Sequence, residues 1–244
     1  MPSRLRKINI KNELKKKYLI NKSYLNDDSL IKNIYLEEDI EDLLKEIEIL
    51  KKNGYKKINL EIGCGVGEYI RKLAEVYKDE FFIGIDYDIQ VIFRAIKNIK
   101  ETEFLNIKFL ALEASLLLNE EKLFNKFDRI IIPFPDPWPK KRHKKRRFLK
   151  IENIKKLQNL LKESGMLIII TDNEDYANSI NNDFIFLDEN NLMQLRKIFQ
   201  NSYYTNKRET FEKIFPFEET RYYKKAISNG SKIFYFVLKK SFLK

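Results

Sequence analysis

Between residues 57 and 172 the chain alternates two kinds of hydrophobic pattern. The runs "KINLEIG", "FFIGID", "IKFLAL", "FDRIIIPF" and "GMLIIITD" are nearly continuous in apolar, often β-branched residues, which is how strands buried on both faces are written. Between them, "GEYIRKLAEVY", "IQVIFRAIKNIK" and the stretch over roughly 148–163 repeat apolar residues every three or four positions and predict amphipathic helices. Strands alternating with helices predict an α/β fold with a mostly parallel sheet covered by helices on both faces. Ahead of this region, "EEDIEDLLKEIEILKKNGY" sets Ile40, Leu43, Leu44, Ile47 and Leu50 at helical spacing, with acids at the start, lysines at the end and Gly54 as a stop. After about residue 175 the pattern weakens until "KIFYFVLKK", which predicts a last strand. Residues 1–35 are basic and weakly periodic, an arm or cap set apart from a domain over 36–244. There is no internal repeat and no low-complexity linker.

Composition narrows the class. The 244 residues include 43% hydrophobic side chains, with 18 Phe and 13 Tyr, enough to build a core and too many for a disordered chain. No apolar run approaches the ~20 residues that cross a bilayer, and "MPSRLRKINIKNELKKK" lacks the apolar segment of a signal peptide. The single cysteine, Cys64, has no partner for an internal disulfide and suits a reducing compartment. These features lead us to expect a soluble cytoplasmic protein with no membrane partner. Lys and Arg number 47 against 36 Asp and Glu, a net charge of +11. That excess suits a polyanionic partner such as a nucleic acid; a general bias toward Lys, Asn and Ile is the plainer alternative.

The first chemical signal is "LEIGCGVGEYI". A strand ends at Ile62, glycines follow at Gly63, Gly65 and Gly67, and a helix starts at once. Glycines let the backbone turn sharply and approach a ligand, and the helix start adds N–H donors. The spacing is G-x-G-x-G rather than the G-x-G-x-x-G of dinucleotide sites, and Glu61 stands just before it. An acid there repels phosphate and attracts a cation, which favours S-adenosylmethionine over a nicotinamide dinucleotide; the alternative is an ordinary tight turn. Asp86 closes the next strand, where a carboxylate can accept ribose hydroxyls. Glu113 follows the third strand, either at an adenine edge or as a solvated acid at a helix start. Cys64 reads as a small loop filler. With one histidine, neither a metal cluster nor a Ser-His-Asp set is expected.

The second signal is "PFPDPWPKKRHKKRRF", residues 133–148, with four prolines in seven residues and the only Trp and His of the chain. Each proline fixes φ, so "PDPWP" is a stiff loop at the end of a strand, suited to holding Asp136 and Trp138. Seven Lys and Arg and His143 fill residues 140–147, a run suited to a phosphate backbone, with a merely solvated charge run as the alternative. His143 reads as a binding rather than a catalytic group.

Here the chain resembles a known family, the tRNA (guanine-N7-)-methyltransferases of bacterial type. "PDPWPKKRHKKRR" is similar to the most specific signature of that family, and "LEIGCGVG", "IGID", "TDN" and "TRYY…GSKIF" follow its order, so the resemblance runs from about residue 57 to 240. It implies a Rossmann-like class I methyltransferase fold with a mostly parallel seven-stranded sheet and S-adenosylmethionine as methyl donor. It also implies tRNA as partner, with guanine 46 of the variable loop as acceptor. The cofactor contacts it implies are Glu61, the loop glycines, Asp86, Glu113 and Asp136; the substrate contacts are Lys140, Asp172, Thr220, Arg221, Tyr222 and Tyr223. Asp136 would be catalytic, steadying the charge that develops on the purine, and Asp172 is next in importance. Trp138 is either a stacking surface for the base or a core residue.

Three positions depart from the family pattern. Pro133 stands where it usually has Asn, Glu113 where it has Asp, and Tyr223 where it has an acid, for which Glu218 or Glu219 could substitute. No obligatory protein partner is evident, and a monomer or homodimer is expected. The rival readings are a methyltransferase of another RNA or of a protein, and a tRNA-binding protein without catalysis.

Overall fold

The computed structural model describes residues 16–20, 36–99, 106–199, 202–217 and 219–241, so most of the basic arm read over 1–35 lies outside the described residues. The chain divides into two compact units, Met1–Leu117 and Leu118–Lys244.

The first unit holds helix α1 (Leu36–Lys52), strand β1 (Lys57–Ile62), α2 (Glu68–Val76), β2 (Glu80–Asp86), α3 (Ile89–Lys97), β3 (Ile107–Ala111) and a short α4 (Ala114–Leu117). Its strands run in the order β3-β2-β1, both pairings parallel, as the continuous apolar runs require. Ile58, Leu60, Ile83, Ile85, Phe109 and Leu110 are almost fully buried, each contributing about 1.5–3 kcal/mol by its removal from water. The register sets Glu61 beside Gly84 and Gly84 beside Phe109, one row across the sheet. Of the N-terminal residues, Tyr18, Leu19 and Ile20 are buried, and Ile20 donates its N–H to the Phe109 carbonyl at 2.8 Å, docking this piece on β3.

The second unit holds β4 (Phe127–Pro133), α5 (Ile151–Leu160), β5 (Leu161–Thr171), α6 (Glu174–Glu189), β6 (Leu195–Lys197), β7 (Tyr204–Thr205), α7 (Arg208–Glu212), α8 (Arg221–Ser228) and β8 (Phe234–Lys240). Strand order is β4-β5-β8-β6, with β7 also on β8; β4 and β5 are parallel, and β8 is antiparallel to each of its neighbours. Eight strands are thus present among the described residues rather than seven, because β7 is a two-residue strand that no hydrophobic pattern announces.

The helix read over 148–163 is shorter, and β5 starts four residues earlier than the apolar run suggested. A bulge explains this: the register jumps from Phe127 opposite Leu161 to Arg129 opposite Met166. Ser164 turns back at φ 64°, and a Cβ on Gly165 would meet the Lys162 carbonyl oxygen at 2.8 Å. Helix α6 was not legible because "EDYANSINNDFIFLDE" is mostly polar; Asn173 starts it, accepting the Tyr176 N–H at 2.8 Å. No described helix is long and apolar enough to cross a membrane.

Candidate functional site

In the first unit the loop after β1 is built on left-handed glycines, with φ of 74° at Gly63, 53° at Gly65 and 74° at Gly67. Gly63 and Cys64 both donate their N–H groups to the Ile85 carbonyl at 2.9 Å, and Gly67 donates to the Cys64 carbonyl at 2.9 Å. Gly65 donates to Asp86 Oδ2 at 3.2 Å. Gly67 is required twice over, since a Cβ there would also meet Phe109 Cζ at 3.1 Å. It is the cap residue of α2 and has no side chain with which to cap that helix. Gly84, unremarked in the sequence, lies beneath the loop: a Cβ on it would touch Cys64 Sγ, Ile70 Cδ1 and Phe109 Cδ1, each at 3.0 Å. A lone glycine within the bulky "FFIGID" was the signal for it.

Glu61 is 2% exposed, and its Oε2 has no hydrogen-bond partner among the described residues. Burial pushes this carboxyl well above the usual carboxylate range. Burial, reinforced by the charges of Glu61 and Asp86, likewise pushes the Cys64 thiol up, so Cys64 is a packing residue and a poor nucleophile. The half-buried Asp86 is raised by burial and held back by the N–H groups of Asp88 and Gly65. Asp88 in turn caps α3 through the Gln90 N–H at 2.8 Å. Glu113 is exposed just before α4 and accepts the Ser115 hydroxyl at 2.6 Å, so one of its oxygens already serves the helix start.

A buried carboxylate oxygen without a donor, beside a glycine loop at the start of a helix, suits a ligand that carries positive charge. That chemistry fits the amino and sulfonium groups of S-adenosylmethionine. Among the described residues no three His, Cys, Asp or Glu side chains gather as a metal site would need.

In the second unit β4 ends at Pro133, and Phe134 turns at φ 50° while donating its N–H to the Ile170 carbonyl at 2.7 Å. Asp136 is exposed on the loop that follows. Trp138, half-buried at φ 41°, has the His143 ring against it edge-on at 5.9 Å and the Arg146 guanidinium over it at 5.1 Å. Two left-handed non-glycine residues within five positions mark a held, strained loop. Lys140 is exposed at the start of a 3₁₀ turn over Lys141–Arg146. Asp172 is half-buried just beyond β5.

Thr220 is buried and caps α8, its Oγ1 accepting the Tyr223 N–H at 3.2 Å. Arg221 is exposed. Tyr222 is 67% exposed and stacks on Phe134, with ring centroids 6.5 Å apart and an interplanar angle of 21°. The structure thus brings Tyr222 to the root of the proline loop, a pairing the sequence did not disclose. Tyr223 packs edge-on against Phe217 at 4.7 Å and beneath the Arg208 guanidinium at 5.6 Å. Glu219, one candidate to replace the missing acid, is paired with Arg208; Glu218 lies outside the described residues. A surface cavity of about 550 Å³, lined in part by Lys155, Gln158 and Leu192, includes none of these groups.

A family model described as "Putative methyltransferase" matches residues 55–236, which include both the glycine loop and the proline and basic segment. The chain belongs to this methyltransferase family. It is 31% identical over 184 residues to a tRNA (guanine-N(7)-)-methyltransferase of Thermotoga maritima, covering 75% of this chain and 54% of that one. It is 36% identical over 129 residues to a protein of the same name from Neorickettsia sennetsu, covering 53% of this chain and 59% of the other. The chain therefore spans little more than half the length of these curated relatives. Among solved structures, it matches one titled "Structure of an antibiotic related Methyltransferase", with a TM-score of 0.56 and 18% identity over 86% of this chain and 96% of that one. The aminoglycoside resistance methyltransferase NpmB1 matches at a TM-score of 0.50 and 16% identity, over 87% of this chain and 96% of that one. The fold of this family member is the Rossmann-like class I methyltransferase fold.

Proposed function

We propose that the chain transfers a methyl group from S-adenosylmethionine to N7 of guanine 46 in the tRNA variable loop, giving 7-methylguanosine. The observation that carries this reading is the junction at Pro133–Arg147, where a held loop displaying Asp136 runs directly into the exposed cations Lys140, Lys141, Arg142 and Lys145. The names of the relatives support it, and so does the fit of the buried Glu61 carboxylate to a cationic cofactor.

Glu61, the loop glycines and Asp86 would hold the cofactor, with Glu113 at its far edge. When bound, S-adenosylmethionine supplies a methyl group made electrophilic by its sulfonium. Guanine N7 has a free lone pair at neutral pH, so no side chain has to remove a proton from it. What the chain must contribute is alignment and charge stabilisation. Asp136 is the group proposed to steady the positive charge that develops on the purine and to accept from the guanine N1–H and N2–H edge. Tyr222, exposed above Phe134, offers a surface for a base turned out of its stack. Lys140, Asp172, Thr220, Arg221 and Tyr223 complete the substrate set, with Thr220 and Tyr223 acting by shaping α8. The cytoplasm, where tRNA is available, is the compartment this reading requires.

The test is methyl transfer from labelled S-adenosylmethionine to an unmodified tRNA transcript and to one with adenine at position 46, followed by nucleoside analysis. 7-Methylguanosine in the first transcript alone supports the reading. Cofactor binding without transfer to either transcript moves the acceptor to another RNA or to a protein.

A further inference from the structure

The eight-residue basic run is divided between two tasks. Lys140, Lys141, Arg142 and Lys145 are exposed, whereas Arg147 is only 5% exposed. Its Nε donates to the Pro137 carbonyl at 2.8 Å, inside the "PDPWP" loop, and its Nη2 donates to Asp175 in the first turn of α6. Lys144 Nζ donates to the other oxygen of Asp175 at 2.7 Å. In a 3₁₀ turn residues three apart share one side, which brings Lys144 and Arg147 to the same carboxylate. The Arg147 guanidinium lies over the Tyr176 ring at 4.7 Å, and the Tyr176 hydroxyl accepts the Leu149 N–H at 2.8 Å.

A phosphate-binding arginine presents its fork to solvent. This one is covered, and its donors point in two directions within the fold, one toward the loop and one toward the helix. The loop needs such a tie. It contains Trp138 in a left-handed conformation just after the left-handed Phe134, and prolines 133, 135, 137 and 139 have no N–H with which to fasten themselves. A lysine could keep the charge of Arg147 but could not donate along both directions from one rigid plane.

We propose that Arg147 is a positioning residue for the methyl transfer: through Pro137 and Asp175 it holds the loop that carries Asp136, and it makes no phosphate contact. This rests on the guanine-N7 reading above, in which Asp136 meets the base.

The experiment compares Arg147→Lys and Asp175→Asn with Lys141→Ala. It measures kcat and KM for the tRNA transcript, the dependence of KM on salt, and the emission of Trp138, the only tryptophan of the chain. The expected result for both loop variants is a kcat lower by about 10- to 100-fold, the scale of a small misplacement. Their KM for tRNA and salt slope should stay near wild type, and the Trp138 emission should shift. Lys141→Ala is expected to raise KM and to lower the salt slope by about 0.7–0.9, as the loss of one phosphate contact does.

Wild-type kcat in Arg147→Lys overturns the proposal, because charge alone would then suffice. A reduced salt slope in Asp175→Asn with unshifted emission overturns it as well. If Arg147→Lys does not fold, Asp175→Asn decides, since the Asp175 side chain is 55% exposed. If the wild-type protein methylates no tRNA, the preceding reading fails; the Trp138 emission of the two loop variants still decides whether Arg147 holds the loop.

Discussion

The carboxylate of Asp86 accepts the backbone N–H of Gly65 at 3.2 Å, tying the end of β2 to the middle glycine of the loop after β1. Its second oxygen accepts the Asp88 N–H at 3.1 Å, so one side chain organises both the loop and the start of α3. Asp86→Asn leaves one oxygen to accept and removes the charge, so S-adenosylmethionine affinity should fall by about 10- to 100-fold with little change in Tm. Asp86→Ala releases the N–H groups of Gly65, Tyr87 and Asp88 and should also lower Tm by several degrees. Calorimetric titration and thermal unfolding of the two variants check this, and unchanged affinity in both would remove Asp86 from the cofactor site.

Glu61 sets stability against binding. Its folded-state pKa is raised by burial, so its stabilising contribution is complete below the unfolded carboxylate value of about 4.3 and is lost as pH rises toward the folded value. Glu61→Gln should therefore raise Tm by a few degrees at neutral pH, with the gain vanishing near pH 4. The same substitution should weaken S-adenosylmethionine binding by about tenfold or more. A Tm difference that persists at pH 4 would show that charge burial is not its source.

Gly67 and Gly54 separate backbone strain from packing. Both are left-handed, at φ 74° and 81°, but a Cβ on Gly54 meets nothing within 4 Å while one on Gly67 meets Phe109 at 3.1 Å. Each alanine substitution should cost about 1 kcal/mol for the conformation, and Gly67→Ala about 1–2 kcal/mol more for the contact. Chemical denaturation of the pair measures the difference; equal losses would mean that Phe109 yields freely.

Asp136→Asn keeps the size of the side chain and removes its charge. A fall in kcat of about 10²–10³ is expected, with S-adenosylmethionine affinity changed only a few-fold. Single-turnover methylation beside equilibrium cofactor binding separates the two effects, and normal turnover would exclude Asp136 from the chemistry.

Strands β1–β5 and β8, helices α1, α2, α3 and α5, and the glycine loop were legible in the sequence because they follow from local physics. A continuous apolar run favours a strand buried on both faces, a repeat every three or four residues favours a helix, and glycine alone enters left-handed turns readily. The proline loop was legible for the same reason, since each proline restricts its own φ. Tertiary structure alone decided the rest. It left Glu61 Oε2 buried without a partner, stacked Tyr222 on Phe134, and placed Tyr223 against Phe217 and Arg208 where the family pattern has an acid. It also turned Arg147 inward to Pro137 and Asp175 while Lys140, Lys141, Arg142 and Lys145 stayed in solvent. Whether a charge is covered, and by what, depends on groups far away in the chain, and a run of lysines and arginines reads the same in sequence whether its members face water or brace a loop.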